Sequence, residues 1–120
     1  MSSYSHVEEY VAASRKTLDR ASLGMIARYQ QAARNLYCRV SCSECLSACP
    51  DNVAVNDVLR YAMYFEHYGL EKEAMMQYAE MAPALKPLTC ASCAGYCESS
   101  CPYGLEVKAR LVHAHDILSA

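Results

Sequence analysis

Hydrophobic residues in this chain recur mainly with the 3.6-residue period of an amphipathic α-helix. The alternation typical of a strand is limited to Val53 and Val55, which we expect in one short extended piece. A capping-box pattern from Ser5 to Glu8 marks the start of the first helix. The pattern therefore predicts an all-α fold with helices at about 5–16, 19–36, 57–68, 71–81 and 107–119.

Turn and cap residues indicate where the middle helices begin and end. Asn56-Asp57 supplies an N-cap for the third helix, and Gly69 stands where a left-handed C-terminal cap favours glycine. Pro83 ends the fourth helix, and residues before proline avoid helical backbone. We therefore expect an extended connector from Pro83 to Pro87.

All eight cysteines lie in two segments between these helices. Cradle 1, residues 38–50, reads CRVSCSECLSACP, and cradle 2, residues 90–102, reads CASCAGYCESSCP. A shift of 52 positions superimposes three cysteines and the closing proline, while the second cysteine falls one position out of step. The match continues into the hydrophobic pairs Val53 with Leu105 and Val55 with Val107. The chain therefore contains an internal repeat of cysteine cradle, proline, hydrophobic pair and helix.

The cysteine spacing restricts how the thiols can meet. Cysteines stand at i, i+4, i+7 and i+11 in cradle 1 and at i, i+3, i+7 and i+11 in cradle 2. Eleven residues of regular helix rise about 16 Å, which is too far for the outer two thiolates to share one compact centre. Either the backbone bends so that each cradle closes on its own centre, or three cysteines hold one centre and the fourth crosses to the other.

Composition sets the compartment and the chemistry. The 120 residues are expected to form one domain, 1–120, in which N-terminal helices within 1–36 precede the two cradles. A net charge of −2 with scattered basic residues argues against a nucleic-acid partner. Residues 1–10 contain no secretory leader, and no apolar run approaches the roughly 20 residues that membrane insertion needs. We expect a cytoplasmic protein, and in that reducing compartment clustered thiols favour metal over disulfides.

Three kinds of metal site suit eight thiolates. Iron–sulfur clusters are held by four cysteines each, and a proline after the last cysteine directs the chain away from the cluster. Two zinc sites would only stabilise the fold, although zinc ribbons usually separate their cysteine pairs by a longer loop. Cu(I) storage suits soft thiolates on helical stripes. A cluster that serves only as a structural support is a further alternative.

Other reactive residues point to packing rather than catalysis. Most of the ten tyrosines occupy helical packing positions, and only Tyr37, Tyr96 and Tyr103 lie beside the cradles. The four histidines have no metal-like spacing. No convincing nucleophile, base or nucleotide-binding loop stands out, so we expect no catalytic residues in this chain.

From about Ser14 onward, the sequence resembles the C-terminal iron–sulfur region of bacterial aldo/keto reductase-type oxidoreductases. More distantly it is similar to the α-helical ferredoxin module of succinate dehydrogenase iron–sulfur subunits. The stretch before Tyr37 is too short to match the reductases' catalytic barrel, so their catalytic residues are not carried over. The resemblance implies an α-helical ferredoxin-like domain that relays electrons. The segments that carry it are YC and CP around cradle 1, VAVNDVLRY at 53–61, MYFE at 63–66, YG at 68–69, EKEA at 71–74, CPYGL at 101–105 and HAH at 113–115.

In bacterial two-cluster ferredoxins the cysteine before the proline ligates the opposite cluster. This precedent favours the crossed arrangement, with two [4Fe–4S] clusters that pass single electrons. The partner would be a redox protein or an oxidoreductase catalytic domain. Val53, Val55, Leu105 and Val107 are expected to shield the clusters from water. We therefore predict that Cys38, Cys42, Cys45 and Cys101 bind one cluster and that Cys90, Cys93, Cys97 and Cys49 bind the other.

Overall fold

A computed structural model describes residues 3–14 and 16–120. It confirms the all-α prediction: the described residues form six helices and no strand. Short 3-10 turns at Leu46–Ala48 and Pro83–Leu85 were not predicted, and neither was the four-residue helix inside cradle 2. The helices are α1 Tyr4–Ser14, α2 Arg20–Ala32, α3 Val55–His67, α4 Glu71–Glu80, α5 Tyr96–Ser99 and α6 Val107–Leu118.

The described chain divides into two compact units, one ending at Ala32 and one beginning at Ala33. The single-domain expectation stays a prediction. In the first unit, α1 and α2 contain no buried residue. The Asp19 carboxylate accepts a hydrogen bond from the Ser22 N–H at 2.7 Å, which caps the start of α2. Positions 1 and 2, where no secretory leader is expected, and position 15, in the predicted first helix, lie outside the described residues.

The second unit is built on α3, which packs against both α4 and α6. Alanine occupies three of the buried positions, where its small side chain leaves little between two backbones. Burial of each Val or Leu side chain stabilises the folded state by on the order of 1.5–3 kcal/mol. The buried residues of these helices are Val55, Val58 and Ala62 of α3, Ala74 and Tyr78 of α4, and Val107, Leu111, Ala114 and Leu118 of α6.

The start of α3 differs from prediction, whereas α6 begins where it was predicted. Helix α3 begins at Val55 with Ala54 as its N-cap, so the predicted cap at Asn56-Asp57 is wrong, and only Val53 of the predicted extended pair is non-helical. Helix α6 likewise begins at its valine, Val107. Beginning at these valines buries them in the core, and that gain outweighs a side-chain cap worth about 1 kcal/mol. All four predicted shielding residues are buried, with Val53 2% exposed and Leu105 4% exposed.

Two connections also bear on the predictions. Gly69 adopts a φ of +66°, in agreement with its predicted role after α3. The connector after α4 is a 3-10 turn at Pro83–Leu85, so its predicted extended form is wrong there. Helix α2 ends at Ala32 instead of Leu36, and a turn follows in which the Leu36 N–H bonds the Ala33 carbonyl at 3.3 Å. Across the part of the chain that is described, every helix is too short or too polar to traverse a bilayer.

Candidate metal centre

Cradle 1 is a bent segment and not a regular helix. The Cys42 N–H bonds the Arg39 carbonyl at 3.2 Å in a tight turn, and Ser41 in that turn has a φ of 58°. The 3-10 turn Leu46–Ala48 follows, and Cys49 is extended with a ψ of 115°. The helical stripe suggested by the spacing is therefore broken between the outer cysteines.

Cradle 2 reaches a similar bend through glycine. The Cys93 N–H bonds the Cys90 carbonyl at 3.2 Å, and Gly95 then takes a φ of +82° before α5 begins. A methyl group at Gly95 would lie 3.4 Å from the Glu98 Oε2. Glycine fits here because this backbone conformation is costly for residues with a β-carbon.

The end of cradle 2 is held beside the start of cradle 1. The Arg39 guanidinium carbon lies 4.6 Å from the Tyr37 ring centroid and 5.2 Å from that of Tyr103. Arg34 donates to the Pro102 carbonyl at 3.1 Å. Two of the three tyrosines predicted beside the cradles therefore share one cation, and these contacts bring Cys101 to the first cradle.

The converse link holds the end of cradle 1 beside the start of cradle 2. The Thr89 hydroxyl donates to the Asp51 carboxylate at 2.6 Å. Thr89 directly precedes Cys90, and Asp51 follows Cys49 by two positions. The 3-10 turn of cradle 1 also packs against α5 of cradle 2. The end of each cradle therefore lies beside the start of the other cradle.

Group A comprises Cys38, Cys42, Cys45 and Cys101, and electrostatic coupling indicates their proximity. Burial raises the pKa of the Cys38 thiol, and the neighbouring Cys42 and Cys101 raise it further. Burial raises the pKa of Cys45 to about 11, with Cys38 next in effect. Arg60 has the opposite effect and lowers the pKa of Cys38, since a nearby cation favours the thiolate.

Group B comprises Cys49, Cys90, Cys93 and Cys97, whose side chains line one narrow cavity. Burial raises the pKa of Cys90 to about 11, and Cys49 is the next cause. Cys97 also adds to the raised pKa of Cys45, so the two groups adjoin. The thiols of group B thus line one cavity, whereas Cys97 contributes more than Cys101 to the raised pKa of Cys45, and the predicted division of the ligands between two clusters stays a prediction.

Some residues near group B were missed by the sequence reasoning. The Lys108 ammonium of α6 donates to the Cys93 carbonyl at 2.7 Å, and its backbone N–H bonds the Glu98 carboxylate at 3.1 Å. The Gly95 N–H donates a hydrogen bond to the Cys93 sulfur, with 3.4 Å between nitrogen and sulfur. These contacts join positions up to 15 residues apart, and no motif in the sequence signals them.

The chemistry available to the two groups is that of clustered free thiols. Tetrahedral zinc with Zn–S bonds of about 2.3 Å would draw its four sulfurs to within about 3.8 Å of one another. Within residues 3–14 and 16–120, no three Cys, His, Asp or Glu side chains stand as a ready site for one metal ion.

The chain was compared with protein-family models, with curated proteins and with solved structures. None of them matches it. The resemblance to the iron–sulfur region of the reductases therefore stays a prediction, and the function is argued from the site alone.

Proposed function

We propose that this chain holds two [4Fe–4S] clusters, one in group A and one in group B, and that it passes single electrons between a donor and an acceptor. The observation that supports this most strongly is the exchange of the last cysteine between the cradles. Cys49 lines one cavity with Cys90, Cys93 and Cys97, and Cys101 is near enough to Cys38 to raise its pKa, which supports the ligand pattern of two-cluster ferredoxins.

The thiols themselves suit such a cofactor. Neighbouring cysteines add to the raised pKa values of Cys38 and Cys90, because adjacent thiolates repel. Bound iron would offset that repulsion and allow all four thiolates to persist, as metal binding requires deprotonated ligands. The cofactor would supply reversible storage of one electron per cluster.

The surrounding residues would exclude water and orient the thiolates. Val53 and Leu105 are buried behind the cradles, and Val55 lines the cavity of group B. The Gly95 N–H directed at the Cys93 sulfur is the kind of hydrogen bond that adjusts a cluster's reduction potential. The adjacency of Cys45 and Cys97 supports electron transfer within the chain.

The proposal also concerns location and partners. A fully ligated oxidised cluster adds about two negative charges relative to four neutral thiols. Starting from a net charge of −2, the loaded protein would be clearly acidic. We therefore expect a cytoplasmic redox protein or oxidoreductase catalytic domain whose docking surface has a basic rim.

Anaerobic purification followed by iron, sulfide, zinc and copper analysis tests the proposal. We expect about eight iron and eight sulfide per chain, and a paramagnetic signal by EPR after dithionite reduction. Stoichiometric zinc or copper without sulfide, reproduced after anaerobic iron supply, would contradict electron transfer. That result would favour a metal-stabilised structural module or a Cu(I) store. Clusters that dithionite cannot reduce would favour a purely structural role.

A further inference from the structure

A second cavity, of about 400 Å³, is lined by Cys38 and by the three residues of cradle 1 that follow it. Its walls come from the chain around Cys38, from one face of α3 and from Arg110 and His113 of α6. Group B borders a different cavity, and Cys38 is the single cysteine in this wall. The volume lies in the range of sites that hold a small organic molecule.

The charge around this cavity favours an anion. Three arginines line it, whereas its carboxylates are Asp57 and Glu66. Glu66 lies 2.7 Å from the His113 imidazole, so a hydrogen bond within the wall already engages its carboxylate. The cavity therefore carries a net positive potential.

The three guanidinium groups are not equally available. Arg39 donates to the Ala33 carbonyl at 3.1 Å, and Arg110 donates to the Asn35 carbonyl at 3.3 Å. Arg60 lies 3.9 Å from the Met63 sulfur, and among the residues that the structure describes no carboxylate lies within ion-pair distance of it. A half-buried guanidinium without a carboxylate can bind a phosphate or carboxylate through two parallel hydrogen bonds.

Part of the remaining wall is apolar and includes an aromatic ring, beside the polar side chains of Ser41, Asn56 and His67. Leu59 and Met63 of α3 face the cavity with Tyr37. Such a surface suits a flat hydrocarbon or heteroaromatic body, since it offers dispersion contacts and stacking but few polar partners.

We infer that this cavity binds a flat organic anion with a phosphate or carboxylate group, which Arg60 recognises while the apolar wall receives the ring. Because Cys38 lies in the wall, a redox-active ligand would lie beside the cluster of group A and exchange electrons with it. That second statement rests on the proposed function, whereas the binding itself does not.

Flavin mononucleotide and riboflavin are suitable probes, because they share one ring system and differ in the phosphate. Titration of the anaerobically purified full chain, followed by flavin fluorescence, should show flavin mononucleotide binding about tenfold tighter than riboflavin. Arg60→Met should bring the two affinities to within about twofold of each other. Arg28→Met, which removes an exposed guanidinium from α2, is the matched control and should leave the preference unchanged.

Absence of flavin mononucleotide binding, equal affinity for the two flavins, or a preference that survives Arg60→Met would overturn the inference. Iron content measured on the same samples separates it from the proposed function. Phosphate-dependent binding by a chain without iron would support the anion-binding cavity and contradict electron transfer through two clusters. A chain that contains reducible clusters but does not bind flavin mononucleotide would support electron transfer and contradict the anion-binding cavity.

Discussion

The two cradles occupy equivalent positions in an internal repeat, yet different side chains link them. Tyr37 and Thr89 each precede a first cysteine, and Asp51 and Tyr103 each follow a closing proline. In one link Arg39 bridges the two tyrosine rings, and in the other the threonine bonds the aspartate directly. The two links therefore occupy equivalent positions in the repeat, but one uses cation–π contacts and the other a hydrogen bond.

The same comparison holds for backbone conformation. Asn52 and Gly104 are 52 positions apart and both have positive φ, 54° and 68° respectively. Asparagine tolerates the left-handed region better than other residues with a β-carbon. Each half thus turns away from its proline through the same bend.

The halves differ most at Asn56 and Lys108, which the repeat also aligns. The Lys108 ammonium holds the Cys93 carbonyl at 2.7 Å. The Asn56 side-chain oxygen is buried without a hydrogen-bond partner within the described residues. Cradle 2 is therefore fastened to its following helix by a contact that cradle 1 lacks.

Paired cysteine substitutions give the largest expected effect, because they test the exchange itself. Cys49→Ser combined with Cys93→Ser removes two ligands from group B and should leave about four iron per chain. Cys49→Ser combined with Cys42→Ser removes one ligand from each group and should disturb both clusters. Iron and sulfide analysis with EPR measures both outcomes. If each cradle instead closed on its own cluster, the two results would be interchanged.

Gly104→Ala should lower the free energy of unfolding by about 1–2 kcal/mol, since alanine is strained at a φ of +68°. No heavy atom lies within 4 Å of the added methyl, so the loss would come from backbone strain and not from a clash. Urea unfolding of the purified protein measures it. Gly104→Asn, which copies cradle 1, should recover most of the loss, and equal losses for the two variants would refute the equivalence.

Lys108→Met should lower the free energy of unfolding by about 1 kcal/mol, because it removes a charge-assisted hydrogen bond at a half-buried position. Asn56→Met is the matched variant in cradle 1. It removes a buried oxygen that has no partner, so it should be neutral or stabilising. Denaturant titrations that gave the same loss for both variants would show that the halves are not fastened differently.

Thr89→Val should cost about 0.5 kcal/mol, the smallest of these effects, because the hydrogen bond to Asp51 is exposed to solvent. Thr17→Val, at an exposed position outside the cradles, is the control. The same denaturant titration compares them. A Thr89→Val loss no greater than that of Thr17→Val would mean that this link adds no stability.

Much of the fold could be predicted from the sequence, because helical periodicity and the burial of periodic apolar residues are local properties. Helices α4 and α6 lie within one residue of their predicted ends. The start of α3 could not be read from its cap residues, since tertiary burial of Val55 decided it. The grouping of the thiols was predicted from precedent and stays a prediction, and the contacts of Arg39, Thr89 and Asp51 that link the cradles are long-range and have no sequence signal.

If Cys101 completes group A as proposed, translation imposes an order on the assembly of the two sites. The 56 positions that separate Cys45 from Cys101 take roughly 3–11 s to translate at about 5–20 residues per second. Throughout that interval the nascent chain presents cradle 1 without its fourth partner. Under the proposed ligation, completion of either site must therefore await the second half of the polypeptide, so a ribosome paused between the cradles would hold cradle 1 without a fourth ligand.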